Sequence, residues 1–224
     1  MSPFEVFSEN FKDVERLLEI HVEVAGEGKG RKYGVEVINK SAVVFICANW
    51  EAFIEDLARQ TVLHISRSFD SPSSMPPKLQ KILASYAKRQ SHDLYVLKLS
   101  GDGWKRVFEN HLDDMAKAYI GAFNTPKPSN IDDLFKNLIG LSSITDCWQW
   151  KGMGKKRAKE KLRDFVSVRG AIAHRGELDN KVDKGYVKQH SDFVDKLAVA
   201  TSNYLRNHIF ELTGSYPWGV AVNN

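Results

Sequence analysis

Residues 164–177, DFVSVRGAIAHRGE, place an arginine in the apolar stripe of a predicted helix. A helix turns about 100° per residue, and Leu162 serves as the reference position. The other apolar positions of the stripe lie within about 60° of it: Phe165, Val166 and Ala173. Arg169 lies in the middle of this stripe, about 20° from Leu162, where a core leucine is expected. A buried guanidinium keeps its proton, so it needs a carboxylate partner or a phosphate ligand.

His174 follows Arg169 by five positions in the same predicted helix. That spacing places it about 140° round the helix from Arg169, on the flank of the stripe and nearer the surface. The two side chains therefore do not stack on one face. They can still converge on one ligand, because arginine is long and another helix or another subunit can complete the site.

A second stretch, NWEAFIEDLARQ (49–60), supplies a candidate partner for Arg169. It belongs to a predicted helix over about 37–68 that is apolar around most of its circumference, which is typical of a central core helix. The neighbours of Glu51 on its own face are apolar: Val44, Cys47, Ala58 and Val62. An acid in that position should be paired or neutral. Glu51 opposite Arg169 satisfies both residues, either as a structural salt bridge or as part of a site.

Basic residues are concentrated just before Arg169. Seven lie within thirteen positions, opposed only by Glu160: Lys151, Lys155, Lys156, Arg157, Lys159, Lys161 and Arg163. Positive charge at the start of a helix works against the helix dipole. A basic cluster that is kept there despite this cost indicates a surface that binds anions, and phosphate is the expected anion. An ordinary solvated helix face is the alternative. The substrate-binding candidates are Lys155, Lys156, Arg157, Lys159 and Arg163.

The rest of the pattern predicts an all-α chain, with one domain over 1–224. Long core helices are expected at about 3–25, 37–68, 155–176 and 183–213, with an insertion at about 70–150. Peripheral helices are predicted within the insertion at 77–90, 103–123 and 130–139, the last capped by Ser129 or Asn130. Residues 91–103 are the one place where a short extended piece is expected.

Composition excludes several classes of protein. The 224 residues are 42% hydrophobic with a net charge of +4, and no charge-free apolar run approaches 18 residues, so no membrane span is expected. The N-terminus lacks the basic-then-apolar layout of a signal peptide, and only two cysteines are present, so we expect a cytoplasmic protein. No two histidines have the spacing of a helical zinc site, and no cofactor motif is present, so neither metal nor cofactor is expected.

The motif around Arg169 resembles a known signature. Arg-Gly-Ala-Ile-Ala-His (169–174), followed by Arg175 and a further long helix, resembles the HEPN signature of arginine, four to six residues and histidine. The segment Trp-Glu-Ala-Phe-Ile (50–54) is similar to the first core helix of that superfamily, in particular of the RiboL-PSP-HEPN and neighbouring prokaryotic ribonuclease toxin families. One position departs from the pattern: Gly170 stands where many HEPN ribonucleases have a polar residue.

The resemblance implies a HEPN-type helical bundle and a metal-independent endoribonuclease, plausible as a toxin or an antiviral defence effector. It implies that Arg169 stabilises the phosphate, that His174 transfers protons and that Glu51 orients Arg169, with Arg175 as a weaker phosphate ligand. The implied partners are RNA, a second copy of the chain, and an antitoxin or defence-system protein. Two alternatives stay open: a catalytically inactive HEPN-like module that binds RNA, nucleotides or protein, and a purely structural helical adaptor.

Overall fold

The computed structural model of the chain describes residues 1–26, 34–90, 92–121, 123, 125–175 and 182–222. These residues form α-helices joined by turns and short 3-10 helices, which confirms the predicted all-α class. The α-helices are α1 (Pro3–Ala25), α2 (Glu36–Ser68), α3 (Pro77–Lys88), α4 (Gly103–Ala116), α5 (Pro128–Ile139), α6 (Lys155–Arg175) and α7 (Lys184–Thr213). The 3-10 helices are Pro72–Ser74, Asp93–Leu99 and Ile144–Cys147.

Helix α1 has both of its ends fixed by local sequence. The Ser2 hydroxyl accepts a hydrogen bond from the Glu5 amide at 3.2 Å, and the Ser2 amide donates to the Glu5 carboxylate at 2.7 Å. Pro3 occupies the first helical position, where its missing N–H costs nothing. At the other end Gly26 adopts a positive φ of 72° and donates its amide to the Val22 carbonyl.

Helix α2 is the centre of the bundle and packs against α1, α4, α5, α6 and α7. Its largest side chains are buried on several faces, and they form the middle of one core: Trp50, Phe53, Ile54, Leu57 and Ile65. By length and composition, α2 alone among the described helices could also cross a membrane. A core helix surrounded by neighbours has the same composition, which agrees with the contacts of α2.

Three details of the 70–150 segment were predicted wrongly. Residues 93–99 form a 3-10 helix, not an extended piece, because the described residues contain no strand with which an extended segment could pair. Helix α4 ends at Ala116, well before 123, and has non-helical backbone angles at His111. Helix α5 begins at Pro128, so Ser129 and Asn130 lie inside it and neither caps it. The φ angle of proline already suits the first helical turn, so Pro128 begins the helix without a side-chain cap.

Helices α6 and α7 hold the C-terminal half of the core together. Helix α6 buries Ala158, Leu162, Phe165 and Val166 and packs on α2 and α5. Asp183 caps α7, its carboxylate accepting from the Tyr186 amide at 2.7 Å. Just before it, the Val182 carbonyl accepts a hydrogen bond from the buried Asn39 amide of α2 at 3.0 Å. The start of α7 is therefore fastened to the central helix.

Candidate active site

Glu51 of α2 and Arg169 of α6 are paired, as the sequence predicts. The Arg169 Nη2 atom lies 3.8 Å from Glu51 Oε2, and the two side chains are 30% and 21% exposed. The pairing places both side chains at the contact between the two helices. The pair is only half-buried, so it can be reached by a ligand.

The apolar stripe of α6 leaves the core at Arg169. Leu162 and Phe165 are completely buried and Val166 is 3% exposed, but Ala173, which the helical wheel assigned to the same stripe, is exposed. The placement of Ala173 in the core was therefore wrong. Periodicity fixes which face of a helix is apolar, but it cannot tell how far along that face the neighbouring helices extend. Arg169 lies at the boundary, which is where a site can open.

The charges of the pair are incompletely satisfied. Burial raises the pKa of Glu51 above its ordinary value, Arg169 lowers it again in part, and Glu55 adds to the rise. At 3.8 Å the Glu51–Arg169 contact is too long for a hydrogen bond. The Arg169 Nε atom is buried, and no other described residue accepts a hydrogen bond from it. The Nη2 donor is likewise not used in a hydrogen bond to Glu51, so the terminal nitrogens, and not the buried Nε, are the donors through which a phosphate could bind.

Cys47 lies one helical turn before Glu51 and is completely buried, as expected for a small core residue. Burial raises the pKa of its thiol to about 11, against the opposing field of Arg169, while Glu51 adds to the rise. Cys47 is therefore a neutral thiol at physiological pH and acts as a small apolar residue behind the pair. The sequence pattern had already placed Cys47 on the face of Glu51, because the two residues are four positions apart in the helix.

His174 and Arg175 both belong to the last turn of α6. Five residues of helix separate His174 from Arg169, which is about 7.5 Å along the helix axis. The side chains of His174 and Arg175 lie outside the described part of the structure. Their convergence with Arg169 on one ligand stays a prediction.

The basic run divides into two groups. Lys155 and Lys159 contact Asp146 at 2.7 and 2.5 Å, and they lower the pKa of that carboxyl. Lys159 also lies 4.0 Å from Asp132. These contacts attach the start of α6 to the 3-10 helix Ile144–Cys147. Nothing in the sequence marked Asp146 as the partner of two lysines predicted to bind substrate.

The second group of basic residues faces solvent. Lys156, Arg157 and Arg163 are exposed on α6. Their charge is therefore more accessible to a phosphate than that of Lys155 and Lys159, although exposed ion pairs such as those to Asp146 are weak and exchange readily. Phosphate binding by all five residues stays a prediction, with Lys156, Arg157 and Arg163 best placed for it.

Gly170 offers a test of the local geometry, because it lies inside α6 and a Cβ added there would meet nothing within 4 Å. We expect Gly170→Ala to raise the free energy of unfolding by about 0.5–1 kcal/mol, since alanine loses less backbone entropy in a helix. Urea unfolding of wild type and variant measures the difference. Ala171→Gly is the matched control and should lower stability by a similar amount. A loss of stability in Gly170→Ala would mean that this face of α6 is covered in the folded protein.

No cluster of three or more histidine, cysteine, aspartate or glutamate side chains that could hold a metal ion occurs in the described ranges. In a comparison with known families, the profile of the RiboL-PSP-HEPN family aligns with residues 7–207. Neither the curated proteins nor the solved structures gave a significant match. The aligned region spans α1 to α7 and includes both Glu51 and Arg169.

Proposed function

The chain belongs to the RiboL-PSP-HEPN family, and from this premise we propose that it is a metal-independent endoribonuclease. Family membership indicates a nuclease or other RNA-related function; cleavage of RNA by this chain is our proposal. The observation that carries it is the partly exposed Arg169, whose Nη2 lies 3.8 Å from Glu51 without a hydrogen bond, on the same helix as His174.

The proposed reaction uses the substrate's own nucleophile. A base removes the proton from the 2′-hydroxyl, whose oxygen attacks the adjacent phosphorus, and the bond from phosphorus to the 5′-oxygen breaks as an acid protonates that oxygen. His174 is suited to proton transfer near neutral pH. Arg169 stabilises the charge that develops on the phosphoryl oxygens. Glu51 positions Arg169, and Arg175 contacts a neighbouring phosphate.

One histidine cannot act as base and acid in the same step, so we propose that two copies of the chain form the site. A two-fold dimer would bring one His174 from each copy to a shared cleft. The terminal part of α6 supports this arrangement, since Ala173 is exposed and the small residues Gly170 and Ala171 are only half-buried. Small side chains there allow a second helix to approach closely.

We expect purified protein to cleave single-stranded RNA in the presence of EDTA and to leave 2′,3′-cyclic phosphate or 3′-phosphate ends. Those ends follow from attack by the 2′-oxygen, so RNA methylated at that oxygen at the cleavage site should resist cleavage. Mass spectrometry of the fragments identifies the ends. Products with 3′-hydroxyl ends that form only with magnesium would overturn the proposed mechanism.

A second function is favoured by one observation, the glycine at 170 where many HEPN ribonucleases have a polar residue. A HEPN-like module that binds RNA or protein without cleaving would retain the Glu51–Arg169 pair for structure alone. Binding of RNA with no cleavage at any pH would favour this alternative.

If the chain is active, we propose a toxin or antiviral effector in the cytoplasm, controlled by an antitoxin or defence-system partner. Inducible expression should then arrest growth.

A further inference from the structure

The two tryptophans before α6 occupy different environments. Trp148 is completely buried, and its indole Nε1 donates to the Thr201 hydroxyl at 2.8 Å, so it is a packing residue. Trp150 is half-buried and borders an open depression of about 540 Å³. The depression is lined by Gln149, Trp150, Gly152, Met153 and Gly154.

A tight turn fixes Trp150 in this position. The Trp150 and Met153 backbones exchange two hydrogen bonds, at 3.0 and 2.9 Å, around Gly152, which has a positive φ of 84°. A Cβ at Gly152 or Gly154 would meet nothing within 4 Å, so the space over these two glycines is open. The turn therefore fixes the backbone of Trp150, and its indole packs on Phe193.

The Trp150 indole and the Lys161 ammonium share one neighbour, Phe193. The Trp150 ring packs on Phe193 with 6.2 Å between ring centroids, and the Lys161 ammonium lies 4.6 Å from the centroid of Phe193. Partial burial lowers the pKa of Lys161, Arg157 and Lys196 lower it further, and Asp192 opposes them. Arg157, Lys196 and Asp192 therefore lie close enough to Lys161 to act on its pKa.

We propose that Trp150 stacks on an unpaired base of the RNA, while Lys161 and Arg157 contact the phosphates beside that base. Aromatic rings that stack on bases next to cations are the general means of binding single-stranded nucleic acid. The Gln149 side chain is exposed at the same depression and can donate to a base edge or accept from it. This inference rests on the proposed function, because it takes RNA as the ligand.

The position of Trp150 makes the subsite distinct from the cleavage centre. Helix α6 runs fourteen residues from Lys155 to Arg169, which is about 21 Å. A substrate that occupies both places must extend along α6. The subsite would therefore select for RNA with a single-stranded stretch several nucleotides from the cleaved bond.

The test measures binding without cleavage. The probe is a fluorescently labelled single-stranded RNA, methylated at every 2′-oxygen and long enough to span α6, and fluorescence anisotropy gives its Kd. We expect Trp150→Ala to weaken binding about tenfold or more, because a base loses its stacking partner. Trp150→Phe should stay within a few-fold of wild type, since it keeps a ring. Tyr204→Ala, which removes another half-exposed ring on α7, should change nothing.

Other outcomes separate the two proposals. Wild-type affinity in Trp150→Ala, with cleavage intact, would overturn the stacking proposal and leave the ribonuclease standing. Equal losses in Trp150→Ala and Trp150→Phe, with a lower thermal unfolding midpoint in both, would assign Trp150 a structural role and also overturn it. Tighter binding of the probe by wild type than by Trp150→Ala, with no RNA cleavage by wild type, would support the subsite and overturn only the catalytic proposal. Failure of wild type to bind this probe overturns the subsite.

Discussion

Replacing His174 with alanine should slow RNA cleavage by about 10²–10⁴-fold and leave the affinity for RNA within a few-fold of wild type. The imidazole transfers a proton in the transition state but adds little to binding in the ground state. Single-turnover cleavage of labelled RNA measures the rate, and anisotropy with the fully methylated RNA measures the affinity.

The cleavage rate of the wild type should also show a bell-shaped dependence on pH. It should rise as the base loses its proton and fall as the acid loses its own.

The matched control is His208→Ala, which removes a half-buried histidine of α7. It should leave the cleavage rate unchanged. A dimer that combines one wild-type chain with one His174→Ala chain should be nearly as slow as the dimer in which both chains carry the substitution, because each cut needs both histidines. Full activity in His174→Ala would show that the proposed chemistry is wrong, and half activity in the mixed dimer would show that each chain acts alone.

Replacing Arg169 with alanine should slow cleavage by about 10²–10³-fold, the usual effect of removing one group that stabilises a developing anion. Arg169→Lys should recover only part of this loss, because an ammonium cannot offer two parallel donors to phosphate oxygens. Single-turnover rates at saturating RNA separate this effect from weaker binding. A fully active Arg169→Lys would mean that only the charge of Arg169 matters.

The effect of Arg169→Ala on stability should be smaller than that of breaking a fully buried ion pair, which costs about 3–5 kcal/mol. The pair is separated by 3.8 Å and both side chains are partly exposed, so we expect a loss of about 1 kcal/mol. Urea unfolding of Arg169→Ala measures this difference. A loss of several kcal/mol would mean that the pair is part of the core.

Glu51→Gln tests the other half of the pair. Burial raises the pKa of Glu51 more than Arg169 lowers it, so the folded protein holds this proton more tightly than the unfolded chain. The contribution of Glu51 to stability is therefore greatest at low pH, and it declines as pH rises through the raised pKa. The glutamine variant should lack this decline and be as stable as wild type at neutral pH or more so. Its cleavage rate should fall, since an uncharged amide positions Arg169 less firmly.

The sequence alone determined the four long helices and the central pair. The apolar periodicity of α1, α2, α6 and α7 follows from burial on one face, which is a local property of each segment, so their bounds were predicted to within about two residues. The pairing of Glu51 with Arg169 was also predictable. Each is a charged residue on an apolar face, and a charge that leaves water needs a partner. Resemblance to the HEPN signature then gave the family, which the profile match confirms.

Only the tertiary structure decided which of these residues are accessible. How far one helix covers another depends on the packing of the whole bundle, so the pattern placed Ala173 in the core although it is exposed. Partners from distant segments are equally invisible to periodicity, and Asp146 attaches Lys155 and Lys159 to a neighbouring 3-10 helix. The same reason separates Trp148 from Trp150: two residues apart in sequence, one is in the core and the other borders an open surface.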